Sequence, residues 1–386
     1  MSSITIAPPT GRRLGNAAWA LRAQFFVSGA LFATWGVHVP SVKLHFGLGE
    51  RALAMAMFAS GIGSLLALTQ AGRVVGRYGP RAVSLVCGLV CSLGIALLLS
   101  FDRYAALVGL MLSYGVAISL FDVSINAEAM EIERLAGRPL MSGFHGMFSL
   151  GGMVGAAVGS ALPAAGVTSQ QHLFAAALVG AMIVVAGCSS MLRMKGPPAV
   201  GIPLSLPRGP LALIGVLAAM GLIAEGAMYD WSVLFMKQEL RSGVAVAALA
   251  YASFSAAMAA GRFGGDWVRA RWASVPLLRA SGALGAVGMA LALLVPHPAA
   301  ALIGFALVGL GFANVVPVLF TAAAQVSGVT PAHGIAAVSS LGYLGMMAGP
   351  PLIGMIAEAR SLTLGLFTVV LFAAVLAASA RRALPE

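Results

Sequence analysis

In the segment SLFDVSINAEAMEIER (119–134), Ser119, Asp122 and Asn126 recur at spacings of three and four. On a helix they fall in one stripe with Gly115. A carboxylate can take up and release a proton, while an amide one turn away donates to and accepts from a polar solute without titrating. Asp122 lies in an apolar run that begins at Tyr104, with Asp102 and Arg103 the last charges before it. The stripe is expected to face a central cavity, with Leu120, Val123 and Ile125 pointing elsewhere. Alternatively the helix ends early and Asp122 touches an aqueous boundary; it stands eighteen residues past Tyr104, about 27 Å at helical rise. Glu128, Glu131 and Glu133 read as solvated helix-end charges.

A second pair, Glu225 and Asp230, sits in a later apolar run. Their i,i+5 spacing turns them about 140° apart, so they face different groups. Glu225 is a candidate cavity residue and proton site, or else a helix–helix hydrogen bond. Asp230 is expected to pair with a nearby basic residue. His38, just before Pro40, and His145, placed beside the Asp122 stripe, are proton-shuttle or solute-contact candidates, or interfacial side chains. Arg262 needs a carboxylate partner or a negative group on the solute. Trp35, Trp231 and Tyr343 offer flat faces for a sugar ring or an apolar compound, or anchor span ends. Asn314, beside Pro317, is a candidate polar ligand.

Only 9% of the 386 residues are charged, 60% are hydrophobic and the mean hydropathy is +0.95. A soluble domain carries about a quarter charged residues, so a bilayer is the expected solvent. The net charge of +11 lies in short basic clusters between apolar runs, which excludes a nucleic-acid partner and fits membrane loops. Cys87, Cys91 and Cys188 lie inside apolar runs and read as small buried packing residues; no metal site or disulfide framework is indicated. No P-loop or nucleophile elbow is present, which argues against an enzyme or an ATP-driven pump, and no cofactor is implied.

Apolar stretches long enough to cross a roughly 30 Å core fall near 18–39, 51–72, 82–101, 104–127, 142–164, 171–192, 210–236, 245–264, 275–295, 299–324, 334–356 and 361–380. The expected fold is an all-α membrane protein of twelve transmembrane helices in two pseudo-symmetric six-helix bundles. These are residues 1–195 and 210–386, joined by a cytoplasmic linker at 196–209 rich in proline, glycine and basic residues. Arg22 precedes about fifteen mostly apolar residues, much like a signal-peptide core, but losing this span would break the twelve-span pattern. Fourteen basic residues in the even-numbered loops and tails, against six in the odd-numbered loops, put both termini in the cytoplasm. The halves echo each other: SLGGMVGAA (149–157) matches YLGMMAGPP (343–351) at an offset of 194, which also lays Gly115 on Gly309. Asp122 falls on Val316, so any coupling by the acid is one-sided. Internal repeats of this kind are the pattern of secondary transporters.

With these features the sequence resembles major facilitator superfamily permeases. GRVVGRYGPR (72–81) is similar to the family's loop motif, with Gly76 where an aspartate is usual. GRFGGDWVRAR (261–271) is a further variant, with Ala270 at the acidic position and Asp266 one turn earlier. The resemblance implies structural or gating roles for Arg73, Arg77, Arg81, Arg262 and Asp266. FATWGVHVP, INAEAMEIER, HGMFSLGGMVGAAVG, IAEGAMYDWSVLFM, GRFGGDW and GYLGMMAGPPLIGMIAE resemble YbjJ-type bacterial inner-membrane transporters over essentially the whole chain. More distantly, FDVSINAE is similar to the fourth-helix segment of proton-coupled fucose permeases, in which an acid and an asparagine four residues on serve proton coupling and sugar binding. Asp122 and Asn126 occupy those places, although the first-helix acid of those permeases has no counterpart between Arg22 and Glu50.

Three functions follow as expectations. One is secondary active transport by alternating access, as proton-coupled symport of a small polar solute such as a sugar. Another is proton-driven efflux of amphipathic compounds; GMMAGPPLIG (345–354) resembles an antiporter motif but lies in span eleven, with Ala156 at the matching place in span five. The third is a non-transporting membrane sensor. The partners expected are the solute, protons and the lipid bilayer. The location expected is the bacterial cytoplasmic (inner) membrane, with the chain working as a monomer.

Overall fold

The computed structural model describes residues 11–138, 140–192, 208–327, 329 and 331–384; for residues 142, 164, 266, 331, 332 and 336 it describes the backbone alone. Every regular element among the described residues is helical. The helices are α1 (Gly11–Phe46), α2 (Glu50–Tyr78), α3 (Pro80–Leu97), α4 (Tyr104–Ala136), α5 (Met141–Ala161), α6 (Ser169–Ser190), α7 (Pro210–Gln238), α8 (Val244–Phe263), α9 (Gly265–Arg271), α10 (Ser274–Leu294), α11 (Pro298–Phe312), α12 (Val315–Ala324), α13 (Pro331–Ala359) and α14 (Leu362–Ala383). Among the described residues eleven stretches are long and apolar enough to cross a bilayer, with α11 and α12 counted as one. The remaining expected span, 142–164, is the 21-residue α5, with Ser149, His145 and several glycines diluting its apolarity. Of the linker expected at 196–209, residues 196–207 lie outside the described residues.

Local chemistry sets the boundaries. Gly79, at φ 82°, turns the chain between α2 and α3, and Pro80 opens the new helix where its missing N–H costs nothing. Thr168 and Gln171 form a reciprocal capping box at the start of α6. Three helices run well past their expected ends: α1 continues through Pro40 to Phe46, α2 to Tyr78 and α4 to Ala136. The extension of α4 changes the reading of three acids. Glu131 pairs with Arg134 at 2.5 Å, and Glu133 accepts from the backbone N–H groups of Leu140 and Met141 at 2.6 and 2.8 Å, capping α5. Glu128 is fully buried rather than solvated, accepting from Leu192 N–H at 2.7 Å.

Packing follows the repeat. In the first part of the chain α2 packs on α4, α1 on α5, and α3 on α4 and α6; later α8 packs on α11, α7 on α13, and α10 on α11 and α14. The pairs α5–α8, α2–α13 and α1–α7 join the two sets. The offset of 194 holds in these contacts as well. A Cβ on Gly115 would stand 1.9 Å from the Ser60 carbonyl oxygen, and one on Gly309 would stand 2.4 Å from the carbonyl oxygen of Phe254. Ser60 and Phe254 are themselves 194 residues apart. Small residues let helix backbones touch where lipid supplies no hydrophobic force between helices. Gly115 is therefore spent on the α2 contact and does not line a cavity, contrary to the expected stripe.

Gly115→Ala is expected to lower the unfolding temperature in detergent, by a destabilisation on the order of 1–3 kcal/mol from overpacking. Gly109→Ala, on the same helix with nothing within 4 Å of an added Cβ, should be neutral or slightly stabilising. Equal melting shifts for the two would contradict the close-contact role.

Candidate functional site

Asp122 and Asn126 keep partial exposure in the interior of the helix array. The Asn126 amide Nδ2 donates to the Asp122 backbone oxygen at 2.9 Å and to its carboxylate Oδ1 at 3.1 Å. Across from them, the 42% exposed Tyr343 of α13 brings its phenol within electrostatic range of Asp122. No basic side chain forms an ion pair with Asp122 among the described residues. Since α4 is continuous on both sides of it, the early helix end weighed above does not occur. The pair thus offers an acid, an amide and a phenol around one accessible spot.

A second cluster forms where α5, α7 and α8 meet. Arg262 Nη2 donates to Glu225 Oε1 at 2.9 Å, and Nη1 donates to Ser149 Oγ on α5 at 3.2 Å. The Tyr229 hydroxyl donates to the same Glu225 oxygen at 3.2 Å. His145 lies within electrostatic range of both charges, while its ring meets Phe25 edge-on at 5.3 Å. Arg262 thus has the carboxylate partner it needs. His145 joins this cluster and not the Asp122 stripe, because α5 packs along α1 and α8 and barely touches α4.

On α1, Trp35 Nε1 donates to Asp230 Oδ1 at 3.3 Å, tying α1 to α7. Asp230 has no basic partner among the described residues, unlike the ion pair expected for it. His38 is not a lone boundary histidine: its Nε2 meets Nδ1 of the buried His172 at 2.8 Å, and Ser41 and Ser169 extend the hydrogen-bonded row. Two imidazoles in such contact share one proton between two nitrogens, which holds α1 to α6. Nothing in the spacing of residues 134 apart advertises that contact.

The remaining candidates scatter. Trp231 is fully buried, with its ring against the α13 backbone at Gly354. Asn314 is buried at the break between α11 and α12, where its Oδ1 would stand 2.5 Å from a Cβ on Gly265. Arg73 donates to Gln70 at 2.9 Å, Arg77 lies over the Tyr78 ring, and Arg81 is within electrostatic range of the buried Glu128. The Asp266 side chain lies outside the described residues. Among the described residues no three His, Cys, Asp or Glu side chains converge as metal ligands. At the end of the array that holds the α1–α2 and α7–α8 turns, Glu50 accepts from Lys43 and from Gln238 Nε2 at 3.3 Å, and Glu358 accepts from Arg51 N–H at 3.3 Å. These contacts join α2 to α7 and α13.

Arg262→Ala should destabilise strongly, by about 3–5 kcal/mol, because it strands the Glu225 carboxylate. The double variant Arg262→Ala/Glu225→Gln is expected to recover most of the loss in thermal unfolding. Equal losses in the single and double variants would show that the pair carries no coupling.

The profile of the Major Facilitator Superfamily matches residues 21–350. An uncharacterized MFS-type transporter of Yersinia pestis is 37% identical, over 93% of this chain and 94% of its own length. Among solved structures, a D-xylose–proton symporter superposes with a TM-score of 0.78 at 13% identity, over 96% of this chain and 98% of its own. The fucose–proton symporter of E. coli superposes with a TM-score of 0.62 at 14% identity, over 96% and 98%. The helical order, the repeated contacts and these matches lead to one assignment: this multi-pass membrane protein belongs to the Major Facilitator Superfamily of transporters.

Proposed function

We propose that the chain is a proton-coupled symporter of a small polar solute such as a sugar, working by alternating access, with Asp122 as the proton site. The observation that carries this is the Asp122 carboxylate itself: it is partly exposed inside the helix array, hydrogen-bonded to the neutral Asn126 amide and, among the described residues, free of any ion pair. An acid so placed is costly while charged, and so is suited to gain and lose a proton during a cycle. Asn126 and Tyr343 supply donors and acceptors for hydroxyl groups beside it. The folds of two sugar–proton symporters add support at the level of architecture.

In this reading residues 1–195 and 210–386 rock about each other, joined through 196–209, and each chain works as a monomer without covalent chemistry. Glu50, Gln238 and Glu358 hold one end shut. The basic bias of the loops makes that the outer end, with both termini cytoplasmic in a bacterial inner membrane. Proton-driven efflux of amphipathic compounds is the second reading, favoured by the exposed apolar surface of Tyr343 and Met346 on α13.

In proteoliposomes, Asp122→Asn should abolish gradient-driven uptake but retain solute exchange. The amide imitates the protonated acid in size and hydrogen bonding and cannot titrate. Asn126→Ala should keep coupling and raise KM up to roughly tenfold, the worth of one or two hydrogen bonds. Undiminished proton-coupled uptake by Asp122→Asn would move the coupling site elsewhere. Solute leaving the vesicle only against an inward proton flux would favour efflux. Reporter fusions after Ser169 and Pro296 should read periplasmic; cytoplasmic signals from both would reverse the orientation.

A further inference from the structure

We propose that Asp230 is a second proton-binding carboxyl, seated where α1 and α7 meet, and that its proton is held or released as that contact is made or broken. This rests on the proton-coupled reading above, but it can be tested by proton binding alone.

Its place in the fold is the first argument. The 194 offset lays Trp35 on Tyr229 and Gly36 on Asp230, so equivalent helices of the two repeats meet at equivalent positions. The approach is close: a Cβ on Gly36 would stand 2.7 Å from the Tyr229 carbonyl oxygen and 2.6 Å from the Tyr251 ring. On one side of this meeting point stands a glycine, and on the other a carboxylate. When the repeats move relative to each other, this is a contact that must change.

The partners of the acid are the second argument. Among the described residues the one hydrogen bond it accepts comes from the indole N–H of Trp35, at a long 3.3 Å. Of the other described acids in or beside the bundle, Glu225 has Arg262, Glu50 has Lys43 and Glu131 has Arg134; among the described residues no cation pairs with Asp230. From α8, Tyr251 faces it, with a hydroxyl that is buried and has no hydrogen-bond partner. The nearest charges along α7 and α8, Glu225 and Arg262, neutralise each other. A carboxylate with one weak neutral donor in an apolar setting is expensive. The neutral acid fits: its carbonyl oxygen accepts from Trp35, and its O–H is a donor that a phenol oxygen such as that of Tyr251 can accept. The proton comes from water as the contact opens and returns to water on release, with no other bond formed or broken.

Depth is the third argument. Asp122 stands eighteen residues from Tyr104 at the closed end, while Asp230 is eight residues from Gln238 at the same end. At helical rise the two acids differ in depth by roughly 15 Å. Two protonatable groups at different depths can exchange protons with opposite faces of the membrane.

The test is infrared spectroscopy of the lipid-reconstituted protein through a pH titration, following the carbonyl stretch of protonated carboxylic acids. Asp230→Asn should remove one titrating component from the wild-type band and leave the component that Asp122→Asn removes. Trp35→Phe, which deletes the donor and keeps the acid, should shift the Asp230 component in frequency and midpoint. A titration of Asp230→Asn that superimposes on the wild type overturns the proposal. So does an Asp230 band that pH does not move, meaning a permanently neutral acid. If Asp230→Asn does not fold, Trp35→Phe decides: unchanged bands overturn the assignment. Loss of the component expected for Asp122 alone would sink the function proposed above and leave this inference standing.

Discussion

A charge placed in an apolar slab must be paired, neutralised or reached by water, and most of the polar architecture here follows from that constraint. Arg262 cannot shed its proton, so it is met by Glu225 and steadied by Ser149. Glu128, buried near the start of α3 and the end of α6, takes a backbone N–H from Leu192 and faces Arg81. Lys43 and Glu50 pair at one end of the array. Asp122 and Asp230 stand apart because, among the described residues, neutral donors alone reach them. Of the three answers to the constraint, these two acids are left with protonation or water.

Helix contact obeys a different rule. Leucine and valine side chains gain nothing by leaving lipid for a protein interface, so approach depends on shape. Gly115 against Ser60 and Gly309 against Phe254 let backbones touch, and the same logic recurs where Gly354 meets Ala54 between α13 and α2. The last of these is an inter-repeat contact, continued by Glu358 on the start of α2. Its pseudo-symmetric counterpart is α5 on α8, where the Ser160 hydroxyl donates to the Ala245 carbonyl at 2.6 Å. Two equivalent seams therefore join the repeats, one built around a glycine and one around a serine.

The spans and the repeat were legible because hydropathy and glycine placement are local or strictly periodic signals. Asp122 with Asn126 was legible for the same reason, since a one-turn spacing survives in any helix. Partners across the bundle were not. Trp35 with Asp230 and His38 with His172 join residues 195 and 134 apart, and a single sequence carries no signal for such contacts. Burial misled at Glu128, where charge spacing suggested a solvated helix end but the long α4 carries the residue under α6. Trp231 misled in the opposite direction: an aromatic near a span end reads as an anchor or a ring for stacking, yet its neighbours enclose it completely.

The repeat also separates what folding requires from what it does not. The glycine contacts that bring helices together occur twice, at the same offset and against equivalent carbonyl groups. The interior charges do not. The offset carries Asp122 to Val316, while Glu225, Asp230 and Arg262 correspond to Leu31, Gly36 and Leu68. Each half therefore folds around its glycines whether or not a charge is present at these positions, and the half that lacks the charge packs there with apolar side chains or none. An acid without a cation inside an apolar frame lowers stability, so Asp122 and Asp230 are a cost that the opposite half, with Val316 and Gly36 at the equivalent positions, does not carry. A cost carried on one side of a symmetric frame is what the proposed proton-coupled cycle would require, because the packing that the two halves share does not call for it.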